Sequence, residues 1–259
     1  MKTINFLHSG KLGDFVHAMF AIKNICYKYN AIANIFIRPG DWTTDVYTTH
    51  KELYPIVSSQ KYVNSFSILD HQDLNKDAEY INLDFFRESK NLYKNSWTDM
   101  FLLDYDLVFK DYRWIDFDET DRYFTNRIII NRKTSDLNII NHNFPYQQII
   151  DNYDTKPIFI SSQNQQQDYY NFPFKDQCEH VIMNNIKDFF VAINSCKVFI
   201  GNLSGPLAIA CSIDKHRIAE LSNTFDHGHY ISETKYSNNI SWFLNSDTYY
   251  NLDQYGYKK

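Results

Sequence analysis

Apolar and polar positions follow two rhythms along this chain. Thr3 to Leu7 is a short apolar run. Phe15, Met19, Ile22, Cys26 and Tyr29 then recur at spacings of three or four, the stripe of a helix. Ala33 to Ile37 is apolar again and is closed by Arg38-Pro39-Gly40. Strand, helix and strand in that order form a βαβ unit, so a parallel sheet begins here. Further on, Glu52 to Val57 reads as a short helix, and Ser65 to Leu69 and Tyr80 to Leu83 as strands. Ser96 to Leu103 reads as a helix with Trp97, Met100 and Phe101 available for packing. Asp111 to Thr125 mixes aromatics with five carboxylates and reads as a solvated crossover between two halves, with a metal cluster as the rival reading.

The second half repeats the rhythm. Arg127 to Asn131, Pro157 to Ser161 and Arg217 to Leu221 read as strands, with Val181 to Met183 as a minor one. Pro145 to Tyr153 suits a short helix, and Ile186 to Cys196 an amphipathic helix burying Phe189, Phe190 and Ile193. The clearest stretch is Val198 to Ala210. Lys197 to Ile200 is the β-branched run of a buried parallel strand, and Gly201-Asn202 breaks it. Ser204 is a good N-cap, Pro206 fits a first helical turn, and Leu207 to Ala210 continue the helix. A strand, a tight turn and a helix N-terminus present free backbone N–H groups at the carboxyl edge of a sheet. That arrangement suits phosphate, although many such turns are ordinary connections. Ser222 to Lys259 shows no strong periodicity, with Trp242, Phe243 and Leu244 as its docking residues.

Composition narrows the class. The 259 residues fit one large domain or two small ones, and 44% hydrophobic against 22% charged residues supports a packed core. The net charge of −5 argues against non-specific nucleic-acid binding. Cys26, Cys178, Cys196 and Cys211 form no CxxC pair and read as small buried residues in a reducing compartment. The N-terminus lacks the apolar core of a signal peptide, and no run approaches the roughly 18 apolar residues of a membrane helix. A soluble, cytoplasmic protein is expected.

Two separated motifs carry a family resemblance. Ser9-Gly10-Lys11-Leu12-Gly13-Asp14 and the helix after it resemble the opening of the ADP-heptose:lipopolysaccharide heptosyltransferase-like glycosyltransferases. Phe20 stands where that family usually has a proline. Gly201-Asn202-Leu203-Ser204-Gly205-Pro206-Leu207-Ala208-Ile209-Ala210 resembles the family's donor-binding turn, with Ala208 at its histidine position. Ile81 to Arg87 is similar to a weaker segment ending in a basic residue. The resemblance covers most of residues 1 to 225. It implies a compact GT-B-like α/β fold of two Rossmann-like domains facing across a cleft: residues 1–120 on the acceptor side, and 121–259 holding the nucleotide sugar with the tail packing back.

It also implies roles. Asp14 is expected as the general base for the acceptor hydroxyl; position alone also allows it to cap the helix at Phe15. His8 and His17 are alternative bases. Arg132 and Lys133 are expected to clamp the diphosphate, or to be solvated loop charges. Ser204, Gly205 and Pro206 would form the opposing phosphate turn, Asn184 to Ile186 would hold the base through backbone groups, and Ser161 lies at the same edge. Glu220 would meet a ribose hydroxyl or face solvent. His8, Lys11, Gly13, Arg87 and Trp97 are the acceptor-side candidates, Trp97 as a stacking surface or a core residue. Basic side chains and helix N-termini serve such a reaction without a metal or other cofactor. The expected partners are a nucleotide-sugar donor and a glycan or other hydroxyl acceptor. Two other functions stay open: a nucleotide-sugar-binding protein with decayed catalysis, motivated by the short chain and missing histidine, and a nucleotide-sugar epimerase.

Overall fold

A computed structural model describes residues 1–42, 45–69, 78–91, 96–135, 139–222, 232–243 and 249–250. The chain forms two sheets. The first has the order β3-β2-β1-β4, from β1 (Lys2–His8), β2 (Ala31–Ile37), β3 (Val63–Ile68) and β4 (Tyr80–Asn82), all parallel. Its helices are α1 (Leu12–Tyr29), α2 (Val46–Val57) and α3 (Trp97–Asp104).

The second sheet has seven strands. They are β5 (Ile128–Asn131), β6 (Ile158–Ser162), β7 (Glu179–Met183), β8 (Val198–Gly201), β9 (Arg217–Glu220), β10 (Ile240–Phe243) and β11 (Tyr249–Tyr250). The order is β11-β10-β9-β8-β5-β6-β7, parallel except for β10 with β11. Helices α4 (Tyr146–Asp151), α5 (Gln166–Tyr170), α6 (Ile186–Ser195) and α7 (Gly205–Ser212) connect them. Among the described residues no helix is long and apolar enough to cross a membrane.

The two sheets differ in how they are covered. Every residue of β5, β8, β9 and β10 is buried, as expected of strands with packing on both faces. Strand β2 instead alternates buried and half-buried positions. Its less covered face carries a polar ladder, in which Asn34 Nδ2 donates to Asn5 Oδ1 at 3.0 Å and Ser65 Oγ donates to Asn34 Oδ1 at 2.8 Å.

One continuous apolar core joins both sheets, from Phe6 and Ile35 through α1 to Leu207, Ile209 and Ala219. A second cluster, including Ile130, Tyr146, Phe159 and Phe243, packs elsewhere in the C-terminal half. Helix α1 explains the first. Twelve consecutive residues, Phe15 to Cys26, are buried, so it is covered on every side rather than along one stripe. Tyr29, expected on the stripe, is 52% exposed.

The crossover is not a solvated linker. Tyr112, Trp114, Ile115, Phe117 and Phe124 are buried, while the charges between them turn outward. Trp114 Nε1 donates to Val16 O at 2.7 Å, and the Trp114 and Ile115 amides both donate to Ser212 O at 3.0 Å. The aromatics there are core residues and the segment welds the halves together. The C-terminal stretch also contains a parallel strand, β10, where the sequence showed no period. Four residues are too few to display one. All four cysteines are buried free thiols, and burial pushes Cys26, Cys178 and Cys196 up to about 12.

Candidate active site

Glycine is scarce here, at 7 residues, yet Gly10, Gly13, Gly201 and Gly205 all stand at the two motifs. Gly10 has φ +138°, and a Cβ on it would lie 2.6 Å from Asp41 N, so only glycine fits. A Cβ on Gly201 would lie 2.8 Å from Asn131 O. The other two make the junction of the molecule. A Cβ on Gly13 would meet Gly205 Cα at 3.6 Å, and one on Gly205 would meet Leu12 Cδ2 at 3.2 Å. The N-termini of α1 and α7 therefore touch backbone to backbone. Both ends carry partial positive charge. Gly205 thus packs against α1, where the sequence alone suggested close approach to a ligand.

Asp14 follows Gly13 directly. It is not the cap of α1: the helix starts at Leu12, Lys11 occupies the cap position, and Asp14 lies within the first turn. Its Oδ2 accepts from Arg87 Nη2 at 3.0 Å, and its side chain is 21% exposed. Burial raises its pKa above the usual carboxylate value, against the opposing pull of Arg87, His8 and Lys11. A carboxylate that holds a proton more readily is a better base, as the expected role requires.

Behind it lies a charged cluster. Asp84, just after β4, takes the Ser9 amide at 3.0 Å and approaches His8 Nδ1 at 2.8 Å, Arg38 Nη2 at 3.3 Å and Arg87 Nη1 at 3.5 Å. The His8 contact is close but poorly aligned for a hydrogen bond. Burial alone would raise Asp84, but the close His8 ring and the Ser9 donors prevail and hold it well below the usual carboxylate range. Arg87 also donates to Gly10 O at 3.3 Å.

His8 is fully buried, ringed by Phe15, Trp42 and Phe86, and does not open onto a cleft as a base would. His17 is 5% exposed and lies parallel to Trp97 at 4.8 Å. Trp97 also packs on Phe86 and Phe101, so one face is stacked and its edges are held: the core reading describes it better than sugar stacking. Lys11 is exposed beside the loop.

The donor side is partly engaged. Arg132 is 5% exposed and forms a forked pair with Glu220, its Nε and Nη2 donating at 2.8 Å. Tyr146 Oη donates to the same carboxylate at 2.7 Å. Burial disfavours the Arg132 charge, but Tyr146 and Glu220 more than compensate. Neither the diphosphate clamp expected of Arg132 nor the ribose contact or solvent exposure expected of Glu220 matches this geometry. The two bind each other because a buried guanidinium needs a counter-charge. Ser161 is also buried, bonded to His180 Nε2 at 2.8 Å. The Asn184 amide donates to Asp188 Oδ2 at 2.9 Å and that of Ile186 to Glu52 Oε2 at 3.0 Å. Those backbone donors are taken.

What remains open is smaller. Asn202 clasps Lys133 by two bonds of 2.9 Å, to its amide and from its own Nδ2 to Lys133 O, leaving the Lys133 ammonium without an ion pair among the described residues. Ser204 occupies the cap position of α7, but its Oγ donates to Asn202 O at 3.0 Å and no side chain caps the helix. Ser204, Gly205 and Pro206 are half-buried. Ala208, at the position expected for histidine, is 1% exposed within the shared core.

Among the described residues no three of His, Cys, Asp or Glu are placed to hold a metal ion. In the crossover Asp116 and Asp118 pair with Arg113, Glu119 pairs with Lys187, and Asp121 accepts from the Tyr123 amide.

No family model matches the chain, and no curated protein matches it. Solved structures do. One is a family 9 glycosyl transferase from Veillonella parvula, with a TM-score of 0.60 at 12% identity over 95% of this chain and 86% of that one. Another is the E. coli heptosyltransferase WaaC with ADP-2-deoxy-2-fluoro heptose, at 0.56 and 7% over 93% and 92%. A third is the iron-containing dodecameric glycosyltransferase TibC of enterotoxigenic E. coli, at 0.63 and 9%, of which the chain spans 64%. The shared feature is the fold, two Rossmann-like units of the GT-B kind.

Proposed function

We propose that this protein is a glycosyltransferase that moves a sugar from a nucleotide-diphosphate sugar to a hydroxyl acceptor, with inversion and with Asp14 as general base. The observation that carries this is the contact of Gly13 with Gly205, which brings the first turn of α1, where Asp14 has a raised pKa, up to the first turn of α7. Asp14 takes the acceptor proton as the acceptor oxygen attacks the anomeric carbon and the bond to the diphosphate breaks. The leaving charge falls on the α7 amides and on Lys133, which forms no ion pair among the described residues. Helix dipoles and a lysine serve this step without a metal. The glycosyltransferases that share the fold support the reading.

A binding protein with decayed catalysis is the second reading. It is favoured by Ala208 in the core, by Arg132 locked to Glu220 and by the occupied amides of Asn184 and Ile186. Hydrolysis of UDP-, GDP- and ADP-sugars without acceptor, with and without EDTA, separates the two. Turnover of one donor that survives EDTA is expected. Tight binding with no turnover of any donor would establish the binding protein, and activity restored only by manganese would overturn the metal-free step.

A further inference from the structure

Asp84 is where the charged cluster converges. It sits in the first turn of the 3-10 segment Leu83–Glu88, whose start is fixed by Asn82 Oδ1 accepting from the Asp84 amide at 3.1 Å. Its two oxygens meet groups from three places in the fold: His8 at the end of β1 with Ser9 just beyond it, Arg38 after β2, and Arg87 three residues on. Arg87 is the only one of these that also reaches Asp14 by an ion pair among the described residues. One guanidinium therefore bridges two carboxylates, Nη1 toward Asp84 and Nη2 toward Asp14. The planar fork of arginine suits such a bridge, and a lysine point charge does not reproduce it.

We propose that Asp84 is the positioning residue of this site: through the Arg87 it shares with Asp14, it holds the base in place and governs when that base accepts a proton. The proposal rests on the reading of Asp14 as the base. Arg87 has a side chain 36% exposed. Without Asp84 it keeps only the bonds to Asp14 and to Gly10 O among the described polar contacts, and a long half-exposed side chain then gains rotamer entropy by swinging into water. Asp84 is 11% exposed and supplies that anchor.

The two carboxylates have opposite environments, the arrangement that separates a permanent anion from a titrating one. Asp84 is held low and Asp14 is raised. The charged groups facing Asp14 are Arg87, His8 and Lys11. Arg38 and Asp84 stand one step behind. Exposed Asp41 joins only through its amide, which donates to Ser9 O at 3.0 Å. The facing turn of α7, Gly205-Pro206-Leu207-Ala208, contributes no titratable side chain.

The test is a carboxyl ¹³C NMR titration of Asp14 in the full chain. In Asp84→Asn the midpoint of Asp14 is expected to rise by about one unit, because an opposite charge at this range is worth 1–3 units and Arg87 is released. A bystander Asp84 predicts the opposite sign, since losing a nearby negative charge makes Asp14 easier to ionise. A midpoint that falls or stays overturns the proposal. Asp84→Glu, which keeps the charge, should return the midpoint toward wild type. If Asp84→Asn does not fold, Arg87→Gln and Arg38→Gln decide: the first must raise the Asp14 midpoint, and a null result, or an equal rise in the second, overturns the bridge. The acid limb of donor hydrolysis should move in the same direction. Absence of turnover in the wild-type protein would sink the transferase reading and leave the titration to judge Asp84.

Discussion

At the residue scale, Asp14 and Asp84 make contrasting demands on stability. A carboxyl whose pKa is depressed by folding stabilises the protein above its unfolded value, about 3.9, and that contribution is lost as pH falls through the folded value. Asp84 is of this kind. In Asp84→Asn the melting temperature should be lower at neutral pH and should fall less steeply below about pH 4 than in wild type. Asp14 has the opposite sign: its raised pKa costs stability as pH rises from the unfolded value through the folded one. Asp14→Asn should therefore melt at or slightly above the wild-type temperature. As the base, it should lose about 10²–10⁴-fold in turnover with donor affinity unchanged. Turnover near wild type would return Asp14 to a structural role. The sequence made Asp14 visible through its Gly-Asp turn. It left the role of Asp84 unseen, although Asp84 lies within the resembling segment Ile81 to Arg87, because its partners Ser9 and Arg38 are 75 and 46 residues away.

At the element scale, the contact of α1 with α7 is a packing problem. Gly13→Ala places its methyl at an ordinary 3.6 Å and should be nearly neutral. Gly205→Val presses on Leu12 from 3.2 Å and should cost about 1–3 kcal/mol, the usual range for overpacking, read as a lower denaturant midpoint. A fall in nucleotide affinity there would follow from the displaced helix. The tie between β5 and β9 is stronger. Glu220→Gln leaves the Arg132 charge buried without its counter-ion, which typically costs about 3–5 kcal/mol; a loss under 1 kcal/mol would show that the pair is not needed. Both strands were legible from their apolar runs. The pairing of their terminal charges was not, because residues 132 and 220 meet only once β8 is seated between β5 and β9.

At the scale of the whole molecule, the two sheets share one core. The expected halves are visible as two sheets, but the crossover binds them through Trp114, and Glu233 accepts from the Thr98 amide and hydroxyl, both at 3.0 Å, tying the C-terminal stretch to α3. Separate melting of the halves would expose this core. Thermal unfolding followed by far-ultraviolet circular dichroism and by tryptophan fluorescence should therefore give one coincident transition. Two transitions would mean that the halves are independent. The fold class was readable because strand and helix periods are local. The weld was not, because alternating acids and aromatics look the same in a solvated linker and in a segment with one buried edge.

Ala208 has a consequence for engineering. The position that carries histidine in the resembling turn is here sealed in the shared core, at 1% exposure. Placing an imidazole there by Ala208→His would drive a large polar ring into close-packed atoms, and overpacking of that kind already costs about 1–3 kcal/mol before the buried ring nitrogens are counted. A histidine is accommodated there only if the residues packed around it in the shared core change as well.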